Sequence, residues 1–177
     1  TIGGNIALPV SWVSIPPVLL CLDAKIKIKG IESTEEVLID QFIEKNTELL
    51  KGRIIEEIII PLMHHDYCKG KFYRLGATET DYPWVLLSIL IAFKDNKISK
   101  ARIALGAVVN KPLRLKDLEQ SLLGKEKIDL TKDQILKSIE NIKFRKDYRF
   151  TDRSYQKELV QNLLIKAVNE LAKGGDQ

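Results

Sequence analysis

Histidine and cysteine are scarce in this chain, with two of each among 177 residues. Both histidines, His64 and His65, sit side by side, so no Ser/His/Asp or Cys/His nucleophile arrangement can be argued. Adjacent side chains on an extended segment point to opposite faces, and no second ligand pair stands at metal-site spacing. His64, His65, Asp66 and Cys68 therefore read as a solvated connector, and no metal site is expected. Cys21 lies in an apolar run and reads as core. So few cysteines exclude a disulfide scaffold and lead us to expect a reducing, cytoplasmic setting. Long apolar runs are missing too: Trp84 to Phe93 is about half of the ~20 residues a membrane crossing needs. No charged segment leads into an apolar signal core, so neither a membrane nor export is expected. A net charge of +4 is modest and dispersed, which argues against nucleic acid as a partner.

What is present is an ordinary globular balance, 45% apolar and 29% charged, in a chain long enough for one domain or two small ones. Val18 to Leu22 is a short apolar run ending at Asp23. Lys25-Ile-Lys-Ile-Lys29 alternates with period two and reads as a half-buried strand stopped by Gly30. Its three lysines suggest a solvated or protected edge. Glu36 to Asp40 reads as a strand, Gln41 to Leu50 as a short helix, and the Ile-rich stretch Arg53 to Ile60 as a strand ending at Pro61. His64, His65 and Asp66 mark an expected boundary between a unit at residues 1–62 and one at residues 66–172.

Beyond that boundary Lys69 to Leu75 reads as a strand. Val85 to Phe93 and Ala101 to Val109 are apolar runs joined by Lys94-Asp-Asn-Lys97, a good turn sequence, and suggest an antiparallel hairpin. A helix at Val85 to Phe93 is the competing reading, because an unbroken apolar run does not reveal its period. Leu115, Leu118 and Leu122 share a helix face that Gly124 stops with a left-handed cap. Thr131 and Gln134 form a capping box ahead of Ile135, Ile139 and Ile142. A final helix carries Tyr155, Leu159, Leu163, Ala167 and Leu171 and ends at Gly174-Gly175. Sheet first and helices after gives an α+β class. Trp12 and Trp84 suggest packing only.

The chain opens on Thr1-Ile-Gly-Gly-Asn5, not on Met, and a glycine pair normally lies between two elements. We expect a fragment of a longer polypeptide. Adjacent glycines let backbone amides approach an anion, and a flanking hydroxyl and carboxamide could complete a phosphate cradle. A tight turn between strands is the plainer reading of the same five residues.

Thr1-Ile-Gly-Gly-Asn-Ile-Ala7, Pro17-Val-Leu-Leu-Cys-Leu-Asp-Ala24 and Ile58-Ile-Ile-Pro61, in that order, resemble the flavin domain of the xanthine dehydrogenase and carbon monoxide dehydrogenase medium-subunit family. Ala101-Arg-Ile-Ala-Leu-Gly-Ala-Val108, then Pro112-Leu-Arg114 with Glu119, Leu122 and Gly124, resemble that family's C-terminal flavoprotein domain. Asp147 to Tyr155 is similar to its closing segment. The resemblance implies the second half of a vanillyl-alcohol-oxidase-like (PCMH-type) FAD subdomain. A CO dehydrogenase flavoprotein C-terminal-like domain, an antiparallel sheet plus three helices, follows it. It implies Thr1, Gly3, Gly4 and Asn5 on the FAD pyrophosphate, with Ile2 supplying backbone, and Ile55 packed near the flavin. In Phe72-Tyr-Arg-Leu-Gly76 and Asp81-Tyr82 it implies Arg74 and Tyr82 beside the isoalloxazine. Ser14 stands where the family commonly has an Asp, and the family's upstream glycine-rich phosphate loop is not in these residues.

The resemblance further implies electron transfer from iron–sulfur clusters through FAD to an acceptor. The implied partners are a molybdopterin-binding large subunit, a small subunit carrying 2Fe–2S clusters, and the missing N-terminal half of its own subunit. Two other readings stand beside it: a scaffold that keeps the fold without a flavin, and a different small flavin or nucleotide binder using the same glycine turn.

Overall fold

A computed structural model describes residues 1–62, 67–126, 128, 130–146 and 153–173. Two short helices come first, α1 (Ile2–Ala7) and α2 (Ile15–Cys21). β1 (Lys25–Lys29), β2 (Thr34–Leu38), α3 (Ile39–Leu49) and β3 (Ile54–Ile59) follow. β4 (Tyr67–Leu75), β5 (Val85–Lys94), β6 (Lys97–Gly106) and the two-residue β7 (Leu113–Arg114) make the second run of strands. Helices α4 (Lys116–Leu122), α5 (Lys132–Glu140) and α6 (Arg153–Lys173) close the fold. The strands form two antiparallel sheets, ordered β2-β1-β3 and β4-β5-β6-β7. The α+β class holds, but helices precede the first strand, because the Val18–Leu22 run continues α2 and its two prolines occupy the permissive first turn.

The expected hairpin is β5–β6. Asp95 and Asn96 both take positive φ, at 51° and 59°, between paired Lys94 and Lys97. Two left-handed residues give the turn whose twist matches the strands, and Asp and Asn tolerate that backbone best after glycine. The competing helix is excluded. β5 reads as an unbroken apolar run because both its faces are covered, and nine of its ten residues are buried. Val85, Leu87, Ile89, Ile91 and Phe93 enter a core shared with α4, α5 and α6. Leu90, on the opposite face, joins Ala104 in a second core with α1, α2, α3 and the first sheet. Gly124 takes the left-handed backbone after α4, and the Thr131/Gln134 capping box forms at α5.

Two expectations need correction. β1 is the centre of its sheet, not an edge. Lys25, Lys27 and Lys29 lie on its outer face and pair across strands with Glu36, Glu56 and Glu57. The alternation marks a half-buried strand carrying a ladder of opposite charges. The second strand ends at Leu38, where α3 begins with Asp40 in its first turn, a favourable place for a carboxylate. His64, His65, Asp66 and most of the Asp147–Tyr155 segment lie outside the described residues.

Helix α2 touches both sheets, and its seat on the second is tight. A Cβ built on Gly106 would lie 2.8 Å from Pro17 Cγ, 3.2 Å from the Ser11 carbonyl oxygen and 3.3 Å from Leu86 Cβ. Ala107, at φ 62°, donates its N–H to that Ser11 carbonyl at 2.7 Å. Cys21 Sγ donates to Ser88 O at 3.3 Å, and burial pushes its thiol pKa up to about 12, so it packs as an inert core group. Gly106→Ala should therefore cost about 1–3 kcal/mol of stability through overpacking. Urea denaturation checks this, and an unchanged midpoint would show that the seat of α2 can slide.

Candidate functional site

The opening pentapeptide is the first turn of α1, not a bend between strands. Thr1 is its N-cap, and the Thr1 hydroxyl accepts from Gly4 N at 3.0 Å. The Thr1 carbonyl accepts from Asn5 N at 3.0 Å. The amides of Ile2 and Gly3 are first-turn donors, which have no acceptor within a helix. The two glycines serve different ends. A Cβ on Gly3 would meet nothing within 4 Å, whereas one on Gly4 would sit 3.0 Å from Thr1 Oγ1. Gly3 leaves an open face, and Gly4 makes room for the cap. Neither takes the left-handed backbone, which among described glycines belongs to Gly52 and Gly124. Asn5 Oδ1 accepts from Ile15 N at 3.3 Å, so this carboxamide joins α1 to the first turn of α2. Ser14 occupies the N-cap of α2 without a side-chain capping bond.

Of the remaining candidates, Ile55 pairs with Ile28 across β1–β3 and packs partly buried against the first core. Arg74 ends β4 and donates to the Thr78 carbonyl at 3.1 Å and to the Asp81 carbonyl. It clamps the loop at residues 76–83, and Asp81 N donates to Thr78 Oγ1 at 3.2 Å within the same loop. Tyr82, on that loop, is 61% exposed. Its ring meets Trp12 edge-on, with centroids 5.6 Å apart and planes at 72°. Trp12 belongs to the α1–α2 loop, so the structure links the Thr1–Ser14 group of candidates to Tyr82 through an aromatic contact. Arg145 places its guanidinium 5.1 Å from the Trp12 ring centroid. Trp12 and Arg145 escaped sequence reasoning, because nothing local marks residues 12, 82 and 145 as neighbours.

Behind this junction lies a charge network. Asp23, at φ 49° after α2, accepts from Arg102 Nε at 2.9 and 3.1 Å and from an Arg114 terminal nitrogen at 3.1 Å. Lys100 Nζ lies 2.7 Å from Asp23 Oδ2. Arg114 also binds Glu119, which is 3% exposed and accepts the Ile103 N–H at 2.9 Å. Burial pushes the Asp23 carboxyl up, but hydrogen bonds from Arg102 and Lys100 outweigh it and hold the pKa below the ordinary 3.8. The Glu119 hydrogen bond raises the Arg114 pKa. Arg102, Arg114 and Glu119 are motif residues whose joint role appears only in three dimensions. Among the described residues, no cluster of three or more His, Cys, Asp or Glu could hold a metal. No helix there is long and apolar enough to cross a membrane.

An N-terminal three-stranded sheet preceded by a glycine helix, and an antiparallel sheet followed by three helices, give the chain two modules. Residues 1–63 match the family described as the FAD binding domain in molybdopterin dehydrogenase, and residues 72–171 match the CO dehydrogenase flavoprotein C-terminal domain. The chain belongs to the medium-subunit family of molybdenum hydroxylases that these two modules define. It is 29% identical over 175 residues to the glyceraldehyde dehydrogenase medium chain of Sulfolobus acidocaldarius, covering 97% of this chain and 61% of the relative. It is 28% identical over 128 residues to the nicotine 6-hydroxylase medium subunit of Paenarthrobacter nicotinovorans, covering 71% of this chain and 44% of that one. The fold matches quinoline 2-oxidoreductase from Pseudomonas putida at TM-score 0.83 and 20% identity, over 100% of this chain and 62% of that one. It also matches carbon monoxide dehydrogenase from Hydrogenophaga pseudoflava at TM-score 0.81 and 22% identity, over 97% and 60%. The chain thus spans less than two thirds of these relatives.

The Asp23 network makes a pH prediction. A carboxylate whose folded pKa is depressed stabilises the fold above its unfolded value, and that contribution fades as pH falls through the folded pKa. Asp23→Asn keeps a side chain that tolerates the left-handed backbone, removes the charge and replaces one accepting oxygen with an NH2 group facing the cations. It should lower stability at pH 7 by about 1–3 kcal/mol, less than a fully buried pair because Asp23 is 27% exposed. The variant should also lose less stability than the parent below about pH 4. Urea midpoints from pH 3 to 7 measure both; parallel curves would show that Asp23 is not the titrating group.

Proposed function

We propose that this chain is the flavin-contacting portion of a longer medium subunit that passes electrons between redox partners. On this reading residues 1–62 are the second half of an FAD subdomain, and residues 66–172 are the C-terminal flavoprotein domain. The open first turn of α1 carries the proposal. The first-turn amides of Ile2 and Gly3 have no acceptor within the helix, and among the described residues nothing lies within 4 Å of where a Gly3 side chain would start. A helix start with that vacancy suits the negatively charged pyrophosphate of a dinucleotide.

Thr1, Ile2, Gly3, Gly4, Asn5 and Ser14 are the proposed pyrophosphate-side residues. Within that set Gly4 acts through the cap, since its amide is already bonded to the Thr1 hydroxyl. Asn5 orients α2, leaving the NH2 end of its carboxamide to face a ligand. Ile55, Arg74 and Tyr82 are the proposed flavin-side residues. Because Arg74 already holds two carbonyls of its loop, its part is to set where Tyr82 stands. An aromatic ring there can stack on a planar cofactor and limit what approaches it.

FAD, when bound, supplies the redox chemistry, and the chain supplies placement and shielding. The partners we propose are a molybdopterin-bearing large subunit and a small subunit with 2Fe–2S clusters. The medium-chain relatives in dehydrogenases and hydroxylases support this. The work of the whole complex belongs to the whole complex.

The reading is tested by titrating FAD into this chain and into the chain extended by its upstream coding sequence. The extended chain should develop a bound-flavin band at about 450 nm. Gly3→Ala should weaken its FAD binding tenfold or more (about 1.4 kcal/mol). The same change should leave folding stability unchanged or raise it by up to ~1 kcal/mol, because alanine favours a helix over glycine. Gly4→Ala should instead lower stability, since its Cβ crowds the cap. Parent-like FAD affinity in Gly3→Ala would show that the ligand does not lie against the bare Cα of Gly3.

A further inference from the structure

We propose that Trp12 is a positioning residue that fixes the Tyr82 ring at the junction of the two modules. The contact itself is in the structure. That Tyr82 borders a flavin rests on the proposed function above.

The backbone of Trp12 is held on both sides. Ser11, 2% exposed, accepts the Ala107 N–H at 2.7 Å through its carbonyl, and Val13 is 8% exposed. The indole itself is only half-buried, so it is not spent on core packing. Arg145 stacks on it with its guanidinium 5.1 Å from the ring centroid, and the Arg145 N–H donates to the Val108 carbonyl at 2.8 Å. Val108 directly follows Ala107, so one turn after β6 anchors both Trp12 and the cation that rests on its ring. A side chain fixed at its backbone and loaded with a cation makes a stiff wall.

Tyr82 meets that wall from a different part of the chain. Its loop is closed by Arg74 and by the Trp84 N–H donating to the Leu75 carbonyl at 2.6 Å. The edge-on contact with Trp12 braces the ring on one side, and an aromatic pair in this geometry is favoured beyond its buried area. The indole stands in the loop between Asn5 and Ser14, the two ends of the proposed pyrophosphate side. Trp12 thereby carries the position of the α1–α2 loop to Tyr82, and a shift of either module moves the ring.

Hydrogen–deuterium exchange of residues 76–83 in this chain reads the first half of the proposal. Trp12→Ala should speed exchange there about threefold to tenfold, while Trp12→Phe, which keeps an edge and a face, should return it close to the parent. Equal exchange in the parent and Trp12→Ala, or failure of Trp12→Phe to restore it, would overturn the positioning role. Flavin fluorescence of the extended, FAD-loaded chain reads the second half. Trp12→Ala and Tyr82→Phe should each change the emission yield, with Trp12→Phe parent-like. An unchanged yield in Trp12→Ala would overturn the link to the cofactor. If no version binds FAD, the flavin reading falls, and the exchange measurement still decides whether Trp12 holds Tyr82.

Discussion

Helix α2 must touch two sheets at once, and the missing side chain of Gly106 makes this possible. With Pro17 Cγ only 2.8 Å from where a Cβ would stand, the helix lies closer to β6 than any other residue would permit. That closeness lets the Ser11 carbonyl receive the Ala107 amide and brings Cys21 within reach of the Ser88 carbonyl. Leu90 and Ala104 of the second sheet then share a core with Leu19, Leu20 and Ile26 from the first part of the chain. Apolar burial is continuous across the junction, which stabilises the arrangement of the two modules as well as each module.

The far end of α2 is fixed by charge. Asp23 faces Lys100, Arg102 and Arg114, and Glu119 takes the remaining donors of Arg114 together with a backbone amide. Removing charges from water is expensive, so such a group persists only when every donor and acceptor is satisfied. A neutral packing solution would hold the helix as firmly. The charged one adds direction, because a guanidinium matches a carboxylate in few geometries and so sets the rotation of α2 as well as its depth. The same rotation decides where the α1–α2 loop, and with it Trp12, meets the second module.

What could be read from the chain without coordinates was what depends on neighbours in sequence. The Thr131 capping box, the left-handed Gly124 and the Asp95-Asn96 turn are local, and each formed where its residues stand. The lysine alternation gave a strand correctly but its place in the sheet wrongly. Whether a charged face belongs to an edge or to a centre depends on Glu56 and Glu57, about 30 residues away. The Val18–Leu22 run does not reveal its period because five of the seven residues of α2 are buried. Trp12 and Arg145 have no local signature at all, and nothing near Tyr82 in sequence announces its contact with Trp12; the three meet only in the folded chain.

The glycine pair shows how local economy and function diverge. A helix of six residues is marginal, and two glycines inside it cost roughly 1 kcal/mol each relative to alanine. The Thr1 cap and the Asn5 bond to Ile15 offset part of that loss, and Gly4 can be assigned to the cap. Gly3 cannot. It contacts nothing that would exclude a methyl group, takes no unusual backbone angle, and weakens the helix that contains it. On the proposed function, that glycine serves a ligand lying against the first turn. A backbone amide presented without a side chain is what a phosphate oxygen requires.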